Sequence, residues 1–175
     1  KFNIGKNRLS LSDIYKLAHG KQEIYLSEES VSRINKSRKY LEKRIKNNND
    51  LIYGVNTGFG SLCDQKIDSN QIEDLQENLV NSHNCGTGEF IPEILTKIIL
   101  LLKIRSLSFG YSAIRINVVE RLILFYNRNT FPLICEQGSL GASGDLAPLA
   151  AIADMIISKI KNKEEIDVKE LSEIF

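Results

Sequence analysis

The sequence holds little that could bind a metal. Its only imidazoles are His19 and His83, and its three cysteines, Cys63, Cys85 and Cys135, are an odd number with no C-x-x-C spacing. No metal site is expected; three reduced thiols in a cytoplasmic protein are. Excess charge is lacking too. The 23 basic and 22 acidic residues leave a formal +1, which gives no electrostatic case for nucleic acid or a membrane as partner. Basic residues do gather between Arg33 and Lys46, but Glu42 interrupts them. Their helical spacing reads as a solvated helix face rather than a phosphate-binding patch. Long apolar runs are also missing. The polar N-terminus does not read as a signal peptide. The greasiest run, 94–107, is too short to span a bilayer and contains Lys97, Lys103 and Arg105, so it reads as a core helix.

What is present is helical pattern in a chain of 175 residues, long enough for one domain with a sizeable core. Ser12 is a candidate cap for a short helix ending at Gly20. Ser27 opens a longer one, with Val31, Ile34, Leu41 and Ile45 on one face, which dies in the polar breaker 47–50. A loop, YGVNTGFG over 53–60, follows; three glycines in seven residues disfavour a helix there, at about 1 kcal/mol each against Ala. Asp68 and Gln71 have capping-box-like spacing before an amphipathic segment with Ile72, Leu75 and Leu79, which runs into the glycine-broken 82–88. Pro92 suits the first turn of the 94–107 helix, and another helix is expected over about 113–126. Asp145 is a good N-cap for a helix from Leu146 to about Ile160, with Pro148 tolerable in its first turn. Strand signals are limited to 8–11 and 23–26. The expectation is an all-α fold with minor strands near the N-terminus, as a single domain over 1–175 with no internal repeat.

The segment GSLGASGDLAPL, 138–149, has two readings. On glycine spacing alone it is a loop entering a helix; it fits neither the dinucleotide fingerprint nor the P-loop. Its Ala142-Ser143-Gly144 run also has latent chemistry. In a tight bend the Gly144 nitrogen can attack the Ala142 carbonyl, helped by the absence of a Cβ, and the Ser143 hydroxyl can leave from its β-carbon. Loss of two waters would give 4-methylidene-imidazole-5-one (MIO), an electron-poor alkene that helix N-termini would polarise further.

Three blocks together resemble one family. The runs YGVNTGFG (53–60), LQENLVNSHNCGTG (75–88) and GSLGASGDLAPL (138–149) resemble, in order and spacing, the N-terminal part of the histidine ammonia-lyases. That family is grouped with the phenylalanine and tyrosine ammonia-lyases and related aminomutases. The resemblance implies that Ala142, Ser143 and Gly144 form MIO autocatalytically, with Asp145 assisting. It also implies that Tyr53 is the catalytic base removing a substrate β-proton. A phenol ordinarily titrates near about 10, so such a base needs nearby positive charge or a helix dipole. His83 falls at the position that the family places beside the substrate side chain. An imidazole there can exchange hydrogen bonds with an imidazole substrate, which implies L-histidine converted to trans-urocanate and ammonia. Tyrosine lyases and some aminomutases share this histidine, so tyrosine chemistry stays as the alternative. Asn56 and Gly60 are expected to allow close substrate approach and loop closure, or simply to set turn geometry. Asn84, Cys85 and Thr87 depart from the family's commonest wording.

Enzymes of this family are longer, with a helical bundle after this region, and are homotetramers whose active sites draw on three subunits. The resemblance therefore implies a small amino-acid substrate and a homotetramer for the complete enzyme. Alone, the chain is expected to lack a complete site and to expose apolar surface. Lys1 in first position leans towards a fragment. The competing reading from another class is a non-catalytic helical module.

Overall fold

A computed structural model describes residues 1–5, 8–47, 51–58, 67, 71–139 and 146–161 of the chain. Six helices dominate them: α1 (Leu11–His19), α2 (Glu28–Asn47), α3 (Ile72–His83), α4 (Glu93–Leu107), α5 (Ile116–Asn127) and α6 (Leu146–Lys161). Two minimal strand pairs join them. Strand β1 (Phe2–Asn3) pairs in parallel with β2 (Ile24–Tyr25), with Phe2 opposite Ile24. Strand β3 (Thr87–Phe90) pairs antiparallel with β4 (Cys135–Gln137). The mainly helical expectation holds.

Local chemistry sets the helix ends. Ser10, rather than Ser12, caps α1. Its Oγ accepts from the Asp13 N–H at 3.1 Å, and the Asp13 carboxylate accepts from the Ser10 N–H at 3.0 Å. Ser12 is followed three residues later by Tyr15, which cannot close such a box, whereas Ser10 is followed by Asp13. Those bonds to Ser10, side chain first, hold the Asp13 carboxyl below the usual carboxylate range. The expected strand over 8–11 is therefore absent, because its residues form the approach to this cap and the first helical position. Ser27 does open α2, its Oγ accepting from the Ser30 N–H at 3.1 Å. The expected helix over 113–126 begins later, at Ile116, since Ala113 takes a positive φ of 50° and Arg115 is extended.

The core gathers around α4 and α5. Leu100, Leu101, Ile104 and Leu107 of α4 meet Val119, Leu122, Phe125 and Tyr126 of α5, with Ile4, Leu17, Ile24 and Ile34 closing one side and Ile152 and Ile156 of α6 another. Asn127 clamps β2 onto α5 through both of its amide atoms, accepting from the Ile24 N–H at 2.9 Å and donating to the Ile24 carbonyl at 3.0 Å. Helix α4 is not buried all round: Leu95 and Leu102 are 46% and 43% exposed. No helix among the described residues is long and apolar enough to cross a membrane.

Tyr126 shows how a polar atom is satisfied inside this core. Its hydroxyl donates to the Leu17 carbonyl at 2.8 Å, one of the last-turn carbonyls of α1 that have no partner within their own helix. Burial pushes the phenol up to about 12. The folded phenol thus keeps its proton where the unfolded one, near about 10, has lost it. Its contribution to stability is complete below pH about 10 and is lost as pH rises through about 12. Tyr126→Phe should cost about 1–2 kcal/mol at neutral pH by leaving the carbonyl unpaired, and should flatten this alkaline loss. Denaturant unfolding across a pH series measures both.

Candidate functional site

The loop carrying Tyr53 is built by its polar residues. Asn56 is buried and its Oδ1 accepts from the Ile52 N–H at 2.7 Å, while its own N–H returns to the Ile52 carbonyl at 3.2 Å. Thr57 is fully buried, and its Oγ1 accepts from the Gly54 N–H at 3.2 Å and donates to the Gly58 carbonyl at 3.0 Å. Gly54 takes φ +68°, a conformation a Cβ would oppose. The result is a tight turn whose Asn and Thr side chains stand in for missing backbone partners, and it leaves Tyr53 62% exposed. Of the two expectations for Asn56, its Oδ1 bond to Ile52 serves turn geometry.

This loop is tied to α3. Gln76 Nε2 donates to the carbonyls of Gly54 at 3.3 Å and Val55 at 3.5 Å. Gln76 and His83 are seven residues apart on one helix, a spacing that returns to the same face about 10 Å further along the axis. One helical face therefore anchors the Tyr53 loop at one point and bears His83 at its end. The His83 Nδ1 lies 2.7 Å from the Leu79 carbonyl oxygen and 3.1 Å from Ser82 Oγ. Gln76 is not singled out from sequence, and Ser82 only as the neighbour of His83 in a pair that resembles the histidine lyases. The i, i+7 relation to His83 could have drawn attention to Gln76.

Beyond His83 the chain turns into β3, where it meets the approach to 138–149. A Cβ built on Gly138, which has φ +151°, would sit 2.8 Å from the Gly86 Cα and 3.3 Å from the Ala147 Cβ. Only glycine permits so close a crossing of the two strands. Gly138 and Ala147, which flank the ASGD run, are thus near each other and near the residue three positions after His83. Asn84 Nδ2 donates to the Asp154 carboxylate at 3.4 Å, fastening the same corner to α6. A cavity of about 60 Å³ lined by Asn84, Gly86, Ile134, Cys135, Ala147 and Ala151 lies here, with room for a few waters rather than an amino acid.

The remaining site residues, Gly60, Ala142, Ser143, Gly144 and Asp145, lie outside the described residues. The two cysteines that are described, Cys85 and Cys135, are both free. No group of acidic, cysteine or histidine side chains among the described residues could hold a metal.

Residues 9–173 match the family model described as aromatic amino acid lyase. Among curated proteins, the histidine ammonia-lyase of Caldanaerobacter subterraneus subsp. tengcongensis is 42% identical over 159 residues, covering 91% of this chain and 31% of that protein. Among solved structures, the phenylalanine aminomutase of Pantoea agglomerans superposes with a TM-score of 0.81 at 37% identity, over 87% of this chain and 29% of that one. The tyrosine aminomutase from Streptomyces globisporus does so with a TM-score of 0.80 at 32% identity, over 89% of this chain and 29% of its own. The chain spans less than a third of the length of each of these relatives.

Proposed function

The chain belongs to the aromatic amino acid lyase family, and from that membership we propose that it is the first part of a histidine ammonia-lyase, removing ammonia from L-histidine to give trans-urocanate. The observation that carries this reading is His83, an imidazole held by its ring nitrogen at the end of the helix that also anchors the Tyr53 loop. The similarity to curated histidine ammonia-lyases supports the same substrate.

In this reading Tyr53 takes the β-proton and His83 meets the substrate side chain. Asn56 and Gln76 hold the loop so that the phenol approaches from a fixed direction, and Gly60 is assigned to substrate binding. Ala142, Ser143 and Gly144 are the precursor of MIO, with Asp145 assisting its closure. MIO supplies an alkene electrophile that makes the substrate amine a good leaving group. The described flanks support such a group: Gly138 lies close against both Gly86 and Ala147, so the two ends of the ASGD run are near each other, as a tight bend requires. The helix α6 begins at Leu146, directly after Asp145, so its N-terminal dipole is available to polarise charge developing in that run.

The chain works in the proposal as one domain of a cytoplasmic homotetramer, the central helical bundle and the remaining substrate-binding groups lying outside its 175 residues. The expected exposure of apolar surface supports a larger assembly: Leu133 is 71% exposed, Phe90 55% and Leu95 46%. A second reading, tyrosine chemistry, is favoured by the similarity to the Streptomyces globisporus tyrosine aminomutase, because a phenol can also bond to an imidazole.

Two measurements test the proposal. Intact mass of the assembled protein should fall short of the encoded sequence by two waters. Incubation with L-histidine should raise urocanate absorbance. Turnover of tyrosine without histidine would move the substrate assignment, and an unmodified mass would favour a non-catalytic helical module.

A further inference from the structure

Helix α4 carries Glu93, Thr96 and Lys97 at i, i+3 and i+4, on one face. A glutamate with a lysine four residues on is the order that pairs well along a helix. Lys97 turns elsewhere: its Nζ donates to Asn129 Oδ1 at 3.0 Å and lies 5.4 Å from the centroid of the Tyr126 ring. Burial lowers the Lys97 ammonium from its ordinary range and the Glu93 charge opposes that fall, yet the two form no ion pair among the described residues. An ammonium only donates, so the bonded atom of Asn129 is its oxygen and the amide Nδ2 is left to donate. The stop of α5 holds Asn129 in place. It takes φ +50°, its N–H donates to the Tyr126 carbonyl at 3.2 Å, and the Thr130 N–H donates to the Phe125 carbonyl at 2.9 Å.

Between the start of α4 and the loop after α5 lies a cavity of about 450 Å³, within the range of about 300–1,000 Å³ that holds small molecules. Glu93, Thr96 and Asn129 line it together with Ile91, Phe131 and Pro132. Thr96 is only 2% exposed, and its hydroxyl has no hydrogen-bond partner among the described residues. Arg33 Nε is the one side-chain atom among them that is both sealed from solvent and unpartnered, so the Thr96 hydroxyl opens into the cavity it lines. We propose that this cavity binds an α-amino acid with an apolar side chain. Glu93 takes the ammonium, Asn129 Nδ2 donates to the carboxylate with the Lys97 charge behind it, and Ile91, Phe131 and Pro132 receive the side chain. The Thr96 hydroxyl is a further partner for the polar end. A simple amine would bring a second cation towards Lys97, and a simple carboxylate would face the like charge of Glu93; a zwitterion answers both. No residue of 53–60, 75–88 or 138–149 lines the cavity, so the site does not depend on the reaction proposed above.

Calorimetric titration of the assembled protein tests this with L-leucine, isopentylamine and 4-methylpentanoate, the last two each lacking one of leucine's charged groups. Leucine should bind once per chain and about tenfold more tightly than either analogue, the worth of one charge-assisted hydrogen bond. Glu93→Gln keeps the size of the side chain, and Asn129→Gly keeps the positive φ while removing the amide. Each should weaken leucine by about tenfold and leave histidine turnover in the absence of leucine unchanged. His83→Leu should bind leucine as the parent does. No leucine binding, an analogue that binds as well as leucine, or affinity untouched by Glu93→Gln or Asn129→Gly would overturn the site. Leucine binding lost with His83→Leu would overturn it too, by placing the ligand at the end of α3. Leucine binding that follows Glu93 and Asn129 in a protein that does not turn over histidine would keep the site and strike only the function reading.

Discussion

Ser143→Ala should leave a folded protein whose mass falls short of the encoded one by no more than one water and whose turnover of histidine is lower by roughly 10³-fold or more, the scale on which removal of a covalent catalytic group acts. The side chain matters for what it can lose. Ring closure of the Gly144 nitrogen on the Ala142 carbonyl expels one water, and departure of the Ser143 hydroxyl expels the second, leaving the exocyclic alkene. Alanine has no leaving group on its β-carbon, so the second step cannot occur. Substrate affinity should change little, because Tyr53 and His83 belong to other elements, the latter fixed at the end of α3. Mass spectrometry and a urocanate assay decide the point together. Normal turnover with Ser143→Ala would remove the electrophile from the reaction, whereas lost turnover with a mass still short by two waters would assign Ser143 another task. Ser143→Cys serves as a second probe, since its thiol can leave from the β-carbon as hydrogen sulfide, giving the same ring and a deficit against its own encoded mass of one water plus one hydrogen sulfide.

The helices were legible because each pairs an apolar stripe with a chemical stop. Leu100, Ile104 and Leu107 of α4 recur at helical spacing after Pro92, and all three are buried, together with Thr96 and Leu101. Ends were less legible. Both Ser10 and Ser12 can cap, and only the partner three residues on distinguishes them. At α5 the apolar periodicity begins before the helix does, and nothing in Ala113 announces a positive φ. Strands β3 and β4 were invisible because Thr87–Phe90 is exposed along its whole length and so lacks the alternation that marks a half-buried strand. Their pairing depends on Gly86 and Gly138 meeting across about fifty residues of sequence, an encounter no local pattern encodes. The candidate site divides in the same way. Tyr53 and His83 stand in recognisable motifs, whereas Gln76 is recognised only from its bonds to Gly54 and Val55. A motif names candidate residues; the groups that hold their loop are ordinary polar side chains that only their bonds identify.

Tyr53→Phe should be the complement of Ser143→Ala: the mass deficit of two waters stays and the reaction is lost. The substitution keeps the aromatic ring and removes one oxygen. The Tyr53 turn is held by Asn56, Thr57 and Gln76 acting on backbone groups of Ile52, Gly54, Val55 and Gly58, and those bonds do not require the phenol. The turn should therefore persist, and the variant should still fold cooperatively. What disappears is the oxygen that accepts the β-proton in the proposed reaction. A positioned general base contributes roughly 10²- to 10⁴-fold, so kcat should fall by that order while KM stays near its parental value. Exchange of the substrate β-hydrogen with deuterated solvent separates chemistry from binding. Parent enzyme that returns bound intermediates to substrate should incorporate deuterium at that carbon, and Tyr53→Phe should not. Undiminished kcat would place the base elsewhere. A raised KM with unchanged kcat would make Tyr53 a binding group only, and its 62% exposure in this chain would then mark a contact for substrate or a neighbouring subunit. The exposure bears on the expected outcome as well. A phenolate in open water is stabilised by solvent and abstracts a carbon-bound proton poorly, so the base reading requires Tyr53 to be enclosed in the assembled enzyme. Hydroxyl-radical footprinting of the assembled protein should accordingly protect Tyr53 relative to Tyr111, which is 90% exposed on this chain.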